Sequence, residues 1–243
     1  MSERQPVEIF PGEVFANVAD FELGIRRLIP RYDEMLEVIV RCTPPQAKKI
    51  LELGSGTGEL SLKLLRYCQG AKLVALDYSP RMSQLARVKL ESAGCRARAS
   101  FWEMDFGDWA NNQGLNSVGI GFDACVSSLA IHHLTNEMKL KLFQRIHQCL
   151  KPGGVFWNAD PILPESPQLA EIYKSVRQQW AIEQETNLAE VRSQMGTNVD
   201  RGHSSQDQLA TLEEHRQILC LAGFKSVAVP WKHYGLAVFG GYV

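Results

Sequence analysis

The sequence predicts an α/β protein: a doubly wound, mostly parallel sheet with helices on both faces and a helical lid. Three observations carry this expectation. Short apolar runs alternate with amphipathic stretches between residues 49 and 160, the pattern of strands joined by crossover helices. The run Ile50-Leu51-Glu52-Leu53-Gly54-Ser55-Gly56-Thr57-Gly58 passes through three alternate glycines into an amphipathic stretch, as a buried strand, a tight turn and a helix start would. Finally, the apolar runs at 225–231 and 236–243 lie too close together for a crossover, so they form an antiparallel hairpin.

The elements follow in order. Residues 14–28 and 31–42 read as helices separated by Pro30, and Pro44-Pro45 stops the second. The first strand spans 49–53 and a helix runs over 58–68. A second strand covers 72–77, and Ser79-Pro80 opens a helix to residue 92 with proline at its favoured first position. Strands at 98–103 and 122–128 flank a Gly/Asn-rich loop at 107–121. A helix at 136–150 is followed by Lys151-Pro152-Gly153-Gly154, read as a turn into a fifth strand at 155–160. Beyond a proline-rich linker, 168–195 is a long polar helix or helix pair, 196–206 a polar loop and 209–221 an amphipathic helix. The expected organisation is an N-terminal helical cap (1–45), a core (46–160 and 207–243) and a helical lid insertion (161–206).

Composition narrows the function. The 243 residues carry 26 basic and 27 acidic side chains, a net charge of −1, so there is no global field to hold long DNA or RNA. The basic stretches at 81–98 and 139–151 read as solvated helix faces. The six cysteines are scattered without a C-x-x-C, and Cys125, Cys149 and Cys220 lie in apolar runs as small core residues. His147, His203, His215 and His233 read as surface or loop residues. No signal-peptide core or membrane-length apolar run appears, so a cytoplasmic protein is expected. No His, Asp or Glu cluster stands at metal-ligand spacing, and no metal is expected.

The glycines at 54, 56 and 58 admit unusual backbone angles and leave room for a ligand to lie on the chain, while the amides opening the next helix favour a polar or anionic group. The third glycine comes one residue earlier than in a dinucleotide fingerprint, with Glu59 in the glycine place. The second strand ends in Asp77, 19 residues after Gly58, where a carboxylate accepts hydrogen bonds from ribose hydroxyls or caps the next helix.

The G-x-G-x-G run with Glu52 ahead of it resembles the first motif of class I S-adenosylmethionine-dependent methyltransferases. Asp77, Asp105, the Lys-Pro-Gly-Gly run and the closing hairpin arrive in that family's order, and the resemblance covers residues 47–243. It implies a Rossmann-like sheet of order 3-2-1-4-5-7-6 with strand 7 antiparallel, and S-adenosyl-L-methionine as cofactor. Gly54, Ser55, Gly56 and Gly58 would take its methionine part and ribose, with Glu52 and Ser127 beside them. Asp77 would hold the ribose diol, Tyr78 and Met82 would flank the adenine, Asp105 would accept from the adenine amino group, and Phe106 would pack alongside.

The fourth strand leads into Ser127-Ser128-Leu129-Ala130-Ile131-His132-His133-Leu134, a segment similar to one in many small-molecule methyltransferases. His132 or His133 there either takes a proton from the acceptor or orders the turn. The Asp/Asn-Pro-Pro-Tyr/Phe motif of base and amide N-methyltransferases is missing after this strand. Phe15, Phe21, Tyr32, Tyr173 and Trp180 either cover the cleft or pack the lid. The N-terminal helices, with Ile29-Pro30-Arg31-Tyr32, are similar to those of carboxy-S-adenosylmethionine synthase, which implies a cofactor contact for Tyr32 and a carboxylate contact for Arg192. Retention of all three glycines favours methyl transfer to a small-molecule acceptor at O, N or C. The alternatives are a carboxy-S-adenosylmethionine synthase-like enzyme of tRNA modification and a non-catalytic S-adenosylmethionine-binding protein. No long nucleic acid or membrane partner is expected, and the sequence leaves the oligomeric state open.

Overall fold

A computed structural model describes residues 21–111, 118–187, 189–191 and 207–243. Two helices, α1 (Phe21–Leu28) and α2 (Tyr32–Cys42), precede the sheet. Strands and helices then alternate: β1 (Lys49–Leu53), α3 (Glu59–Tyr67), β2 (Lys72–Asp77), α4 (Pro80–Ser92), β3 (Ala99–Glu103), α5 (Phe106–Ala110), β4 (Phe122–Ser128), α6 (Asn136–Cys149) and β5 (Leu150–Pro161). The helices α7 (Pro167–Glu183) and α8 (Leu212–Leu221) lead to the hairpin of β6 (Lys225–His233) and β7 (Leu236–Tyr242). The strands pair in the order β3-β2-β1-β4-β5-β7-β6, with β7 antiparallel to both neighbours. Phe15, Arg192 and the loop at 196–206 lie outside the described residues.

β1 shows why the sheet is covered on both faces. Ile50 joins the core beneath α2 and α3, whereas Leu51 and Leu53 join the core beneath α5 and α6. Strand side chains alternate faces, so an apolar residue at each of these positions leaves β1 no polar face to expose. Helix starts follow their caps: Ser79, Thr135, Ser166 and Thr211 each accept from the amide three residues on, which satisfies donors that have no partner within the helix.

Several boundaries differ from the sequence expectation. Lys151-Pro152-Gly153-Gly154 lies within β5 as a bulge, where the register jumps from Phe122↔Leu150 to Ala124↔Val155 and Gly153 takes φ +76°. The loop expected from residue 107 opens with α5, because the Asp105 side chain caps the Gly107 and Asp108 amides. The helix expected from residue 209 starts at Leu212, set by a capping box between Thr211 and Glu214. Cys220 is exposed, unlike Cys125 and Cys149, which are buried as expected. Lys139 and His215, read as surface residues, are buried; the ammonium of Lys139 reaches the Gln208 carbonyl, and His215 packs on Phe239. Among the described residues, no helix is long and apolar enough to cross a membrane.

Candidate active site

The glycine turn leaves β1 at the middle of the sheet, where the chain order reverses between β1 and β4, the place where open α/β sheets bind ligands. Its three glycines have different reasons to be glycine. A Cβ on Gly54 (φ +69°) would stand 2.4 Å from the Ala130 Cβ, and one on Gly58 (φ +81°) would stand 2.9 Å from the Ala86 Cβ. Gly56 (φ +51°) is open, with nothing within 4 Å of its Cβ position. Beside it the Ser55 hydroxyl oxygen is buried without a hydrogen-bond partner among the described residues. Open backbone, an orphaned hydroxyl and the start of α3 together fit a polar nucleoside cofactor.

Asp77 stitches this cradle together. Its Oδ2 accepts from the Gly56 amide at 2.7 Å and its Oδ1 from the Ser79 amide at 2.9 Å, so the acid spans the glycine turn and the start of α4. Tyr78 beside it is half-buried, and Met82, buried in the first turn of α4, has its amide held by Ser79. The Phe106 ring lies 3.8 Å from the Gly54 Cβ position. Asp105 is placed as the α5 cap, its Oδ1 accepting from Gly107 at 2.6 Å and Asp108 at 3.3 Å.

Three residues stand differently from the sequence reading. Glu52 is buried on the α3 side of β1 and accepts from the Ser61 hydroxyl; it ties strand to helix beneath the cradle. Burial pushes its carboxyl up to about 8. Ser127 is fully buried and donates to the Leu53 carbonyl at 2.9 Å, joining β4 to β1. Tyr32 is half-buried at the start of α2 beneath the Arg26 guanidinium, 5.4 Å from its ring centroid. Burial, with Glu59 nearby, holds its phenol well above the usual range. Arg26 in turn pairs with Asp33 and Glu59, each at 2.9 Å, which fastens α1 and α2 to the rim of the glycine turn.

At the neighbouring strand end, β4 leaves the sheet through Leu129, which has φ +54° and donates its amide to the Ala159 carbonyl at 2.8 Å. The reversal feeds a single helical turn, Ile131–His133, and sets His132 over the end of β5. There His132 Nδ1 meets Asp160 Oδ1 at 2.7 Å. Asp160 is fully buried and its second oxygen accepts from Asn158 at 2.8 Å. Burial opposes charge on both partners, but their attraction outweighs it, lowering the Asp160 carboxyl and raising the His132 imidazole from their ordinary values. His133, its ring centroid 4.0 Å from that of His132, makes no hydrogen bond to a carboxylate; burial and the neighbouring imidazole push it down to about 4.

A residue that the sequence reading missed completes the group. Asp207 Oδ1 lies 3.7 Å from His132 Nε2 and 3.8 Å from His133 Nδ1. The chain is held there by the Gln208 amide donating to the His132 carbonyl at 2.7 Å, with Lys139 on the Gln208 carbonyl. The expected absence of a His/Asp cluster is thereby corrected, since the fold builds one from segments 74 residues apart. The α7 aromatics take packing roles: Tyr173 meets Tyr234 edge-on at 6.0 Å and Trp180 donates to the Arg26 carbonyl at 3.3 Å.

The family described as "Methyltransferase domain" matches residues 50–154, from β1 to the bulge of β5. Residues 50–154 carry a methyltransferase domain, within a sheet of the class I strand order. The chain is 28% identical over 68% of its length to a carboxy-S-adenosyl-L-methionine synthase from Campylobacter lari, covering 70% of that protein. It is also 28% identical over 75% of its length to the ubiquinone/menaquinone biosynthesis C-methyltransferase UbiE of Haemophilus ducreyi, covering 66% of that protein. Among solved structures it matches phosphoethanolamine N-methyltransferase 2 of Haemonchus contortus in complex with S-adenosyl-L-methionine, with TM-score 0.56 and 20% identity over 87% of this chain and 42% of that one. The solved structures are longer, the chain spanning 56–59% of three others that it matches.

Proposed function

We propose that this protein transfers a methyl group from S-adenosyl-L-methionine to a small-molecule acceptor, with His132 taking the acceptor's proton. The observation that carries the reading is the His132–Asp160 bond at 2.7 Å, held at the end of the strand beside the open glycine turn. Gly56, Ser55 and Asp77 would hold the cofactor, which supplies an electrophilic methyl group on a sulfonium. Because the methyl is already activated, the protein's part is alignment, exclusion of water and removal of a proton.

Asp160 fixes the imidazole so that Nδ1 bears the proton and Nε2 presents a lone pair to the acceptor. Asn158 holds Asp160 in turn. His133 lacks this orientation and is the weaker base. Incubation of a metabolite extract with methyl-labelled cofactor, read by mass spectrometry, tests the reading. Labelled product formed by the wild type, lowered roughly 10²–10⁴-fold in His132→Ala with S-adenosylhomocysteine affinity retained, supports it. No labelled acceptor from any pool removes it. A carboxylated cofactor as product selects the synthase-like reading, which the Campylobacter lari relative favours.

A further inference from the structure

We infer that His132, His133 and Asp207 form a binding site for one divalent transition-metal ion of the zinc class, competing with the proton for His132. The effect on rate rests on the methyl-transfer reading above, whereas the binding rests on geometry alone. Three electron-pair donors converge: His132 Nε2, His133 Nδ1 and Asp207 Oδ1 all lie within 4.8 Å of one another. At 3.7 and 3.8 Å, neither imidazole nitrogen is within hydrogen-bond distance of the carboxylate oxygen. With its one ring proton on Nδ1 toward Asp160, neutral His132 keeps a lone pair on Nε2. The Nδ1 of His133 is buried and has no hydrogen-bond partner among the described residues. Two imidazole nitrogens and a carboxylate oxygen that converge without a hydrogen bond between them leave a place for a cation at their centre.

The dimensions suit a metal ion. Bonds of about 2.0–2.1 Å in tetrahedral geometry set ligand atoms roughly 3.3 Å apart, so the nitrogen–carboxylate spacings of 3.7 and 3.8 Å close by about half an ångström, with the two imidazole nitrogens already within 4.8 Å of each other. Two imidazoles with one carboxylate select zinc, cobalt or nickel over magnesium or calcium. The surroundings match those of a built metal site: His132 leans on the Asp160 carboxylate and Asp160 on Asn158, the outer contacts that orient a ligating histidine. Lys139 and the Gln208–His132 backbone bond hold Asp207 in place from the other side. Three protein ligands leave one coordination position open. An ion that takes Nε2 withdraws the lone pair from catalysis, so methyl transfer falls with occupancy and returns with a chelator.

The test uses the untagged full chain stripped with a chelator. Cobalt uptake is followed by visible absorbance, and zinc affinity by competition with a chromophoric chelator. One ion per chain is expected, with histidine-type cobalt bands and no thiolate charge-transfer band. Zinc affinity should fall roughly 10–100-fold in Asp160→Asn, and at least 10-fold in His133→Gln and in Asp207→Ala, the last at an exposed position. Equal affinity in the wild type, His133→Gln and Asp207→Ala overturns the site, as does a thiolate band lost in Cys220→Ser or no uptake at all. Methylation by the chelated wild type reports separately on the proposed function: if it fails while zinc still binds, only that reading falls.

Discussion

A Cβ at Gly56 would project into open space, whereas one at Gly58 would press on Ala86 at 2.9 Å. Both glycines have positive φ, so alanine costs each about 1–2 kcal/mol of backbone strain. The collision adds to that cost only at Gly58. Gly56→Ala should therefore fold with a modest loss of stability and bind S-adenosylhomocysteine poorly, while Gly58→Ala should lose more stability than Gly56→Ala. Thermal denaturation paired with ligand titration separates them, and wild-type affinity in Gly56→Ala would show that the ligand lies elsewhere. Glu52 gives a pH signature. Its folded carboxyl sits at about 8 against an ordinary 4.5, so the folded state binds a proton that the unfolded chain has released. Its burial costs nothing below pH 4.5, and stability is lost progressively as pH rises toward 8. Glu52→Gln keeps an acceptor for Ser61 without the charge, so its stability should match the wild type near pH 4.5 and exceed it above pH 8, by on the order of 5 kcal/mol at most. A constant offset across pH would contradict the assignment.

At the scale of elements, α8 is the helix whose start bears on the site. The Thr211–Glu214 box fixes where it begins, and the segment just before it carries Asp207 and Gln208. Thr211→Ala should cost about 0.5–2 kcal/mol in chemical denaturation, with no measurable loss if the box is incidental. This region also marks the limit of what the sequence discloses. The glycine turn, Asp77 and the closing hairpin were legible because each signal is local: alternate glycines, an acid at a strand end, two runs too close to cross over. Asp105 as a cap was obscured because the Gly/Asn-rich stretch that begins at residue 107 read as a loop rather than a helix start. Lys139 looked like part of a solvated basic face, since its burial depends on a carbonyl that is 69 residues away. Asp207 carried no signal, because it meets His133 across 74 residues of chain.

Across the whole molecule, the strand order places both halves of the proposed chemistry on neighbouring strands. β1 ends in the glycine turn, and β4, its parallel partner, ends in the turn that carries His132. The helices around them act as walls: Arg26 and Lys89 converge on Glu59, so α1 and α4 are fastened to the first residue of α3. Asp77 links the cradle's own parts, and Asp77→Ala should weaken cofactor binding by about 1.5–3 kcal/mol, the range for hydrogen bonds to a charged group. Titration of the wild-type chain with S-adenosylhomocysteine in a calorimeter measures most directly whether the glycine turn holds this cofactor. Binding of one equivalent, with a matching rise in melting temperature, is the predicted result. No heat and no thermal shift at millimolar ligand would contradict it.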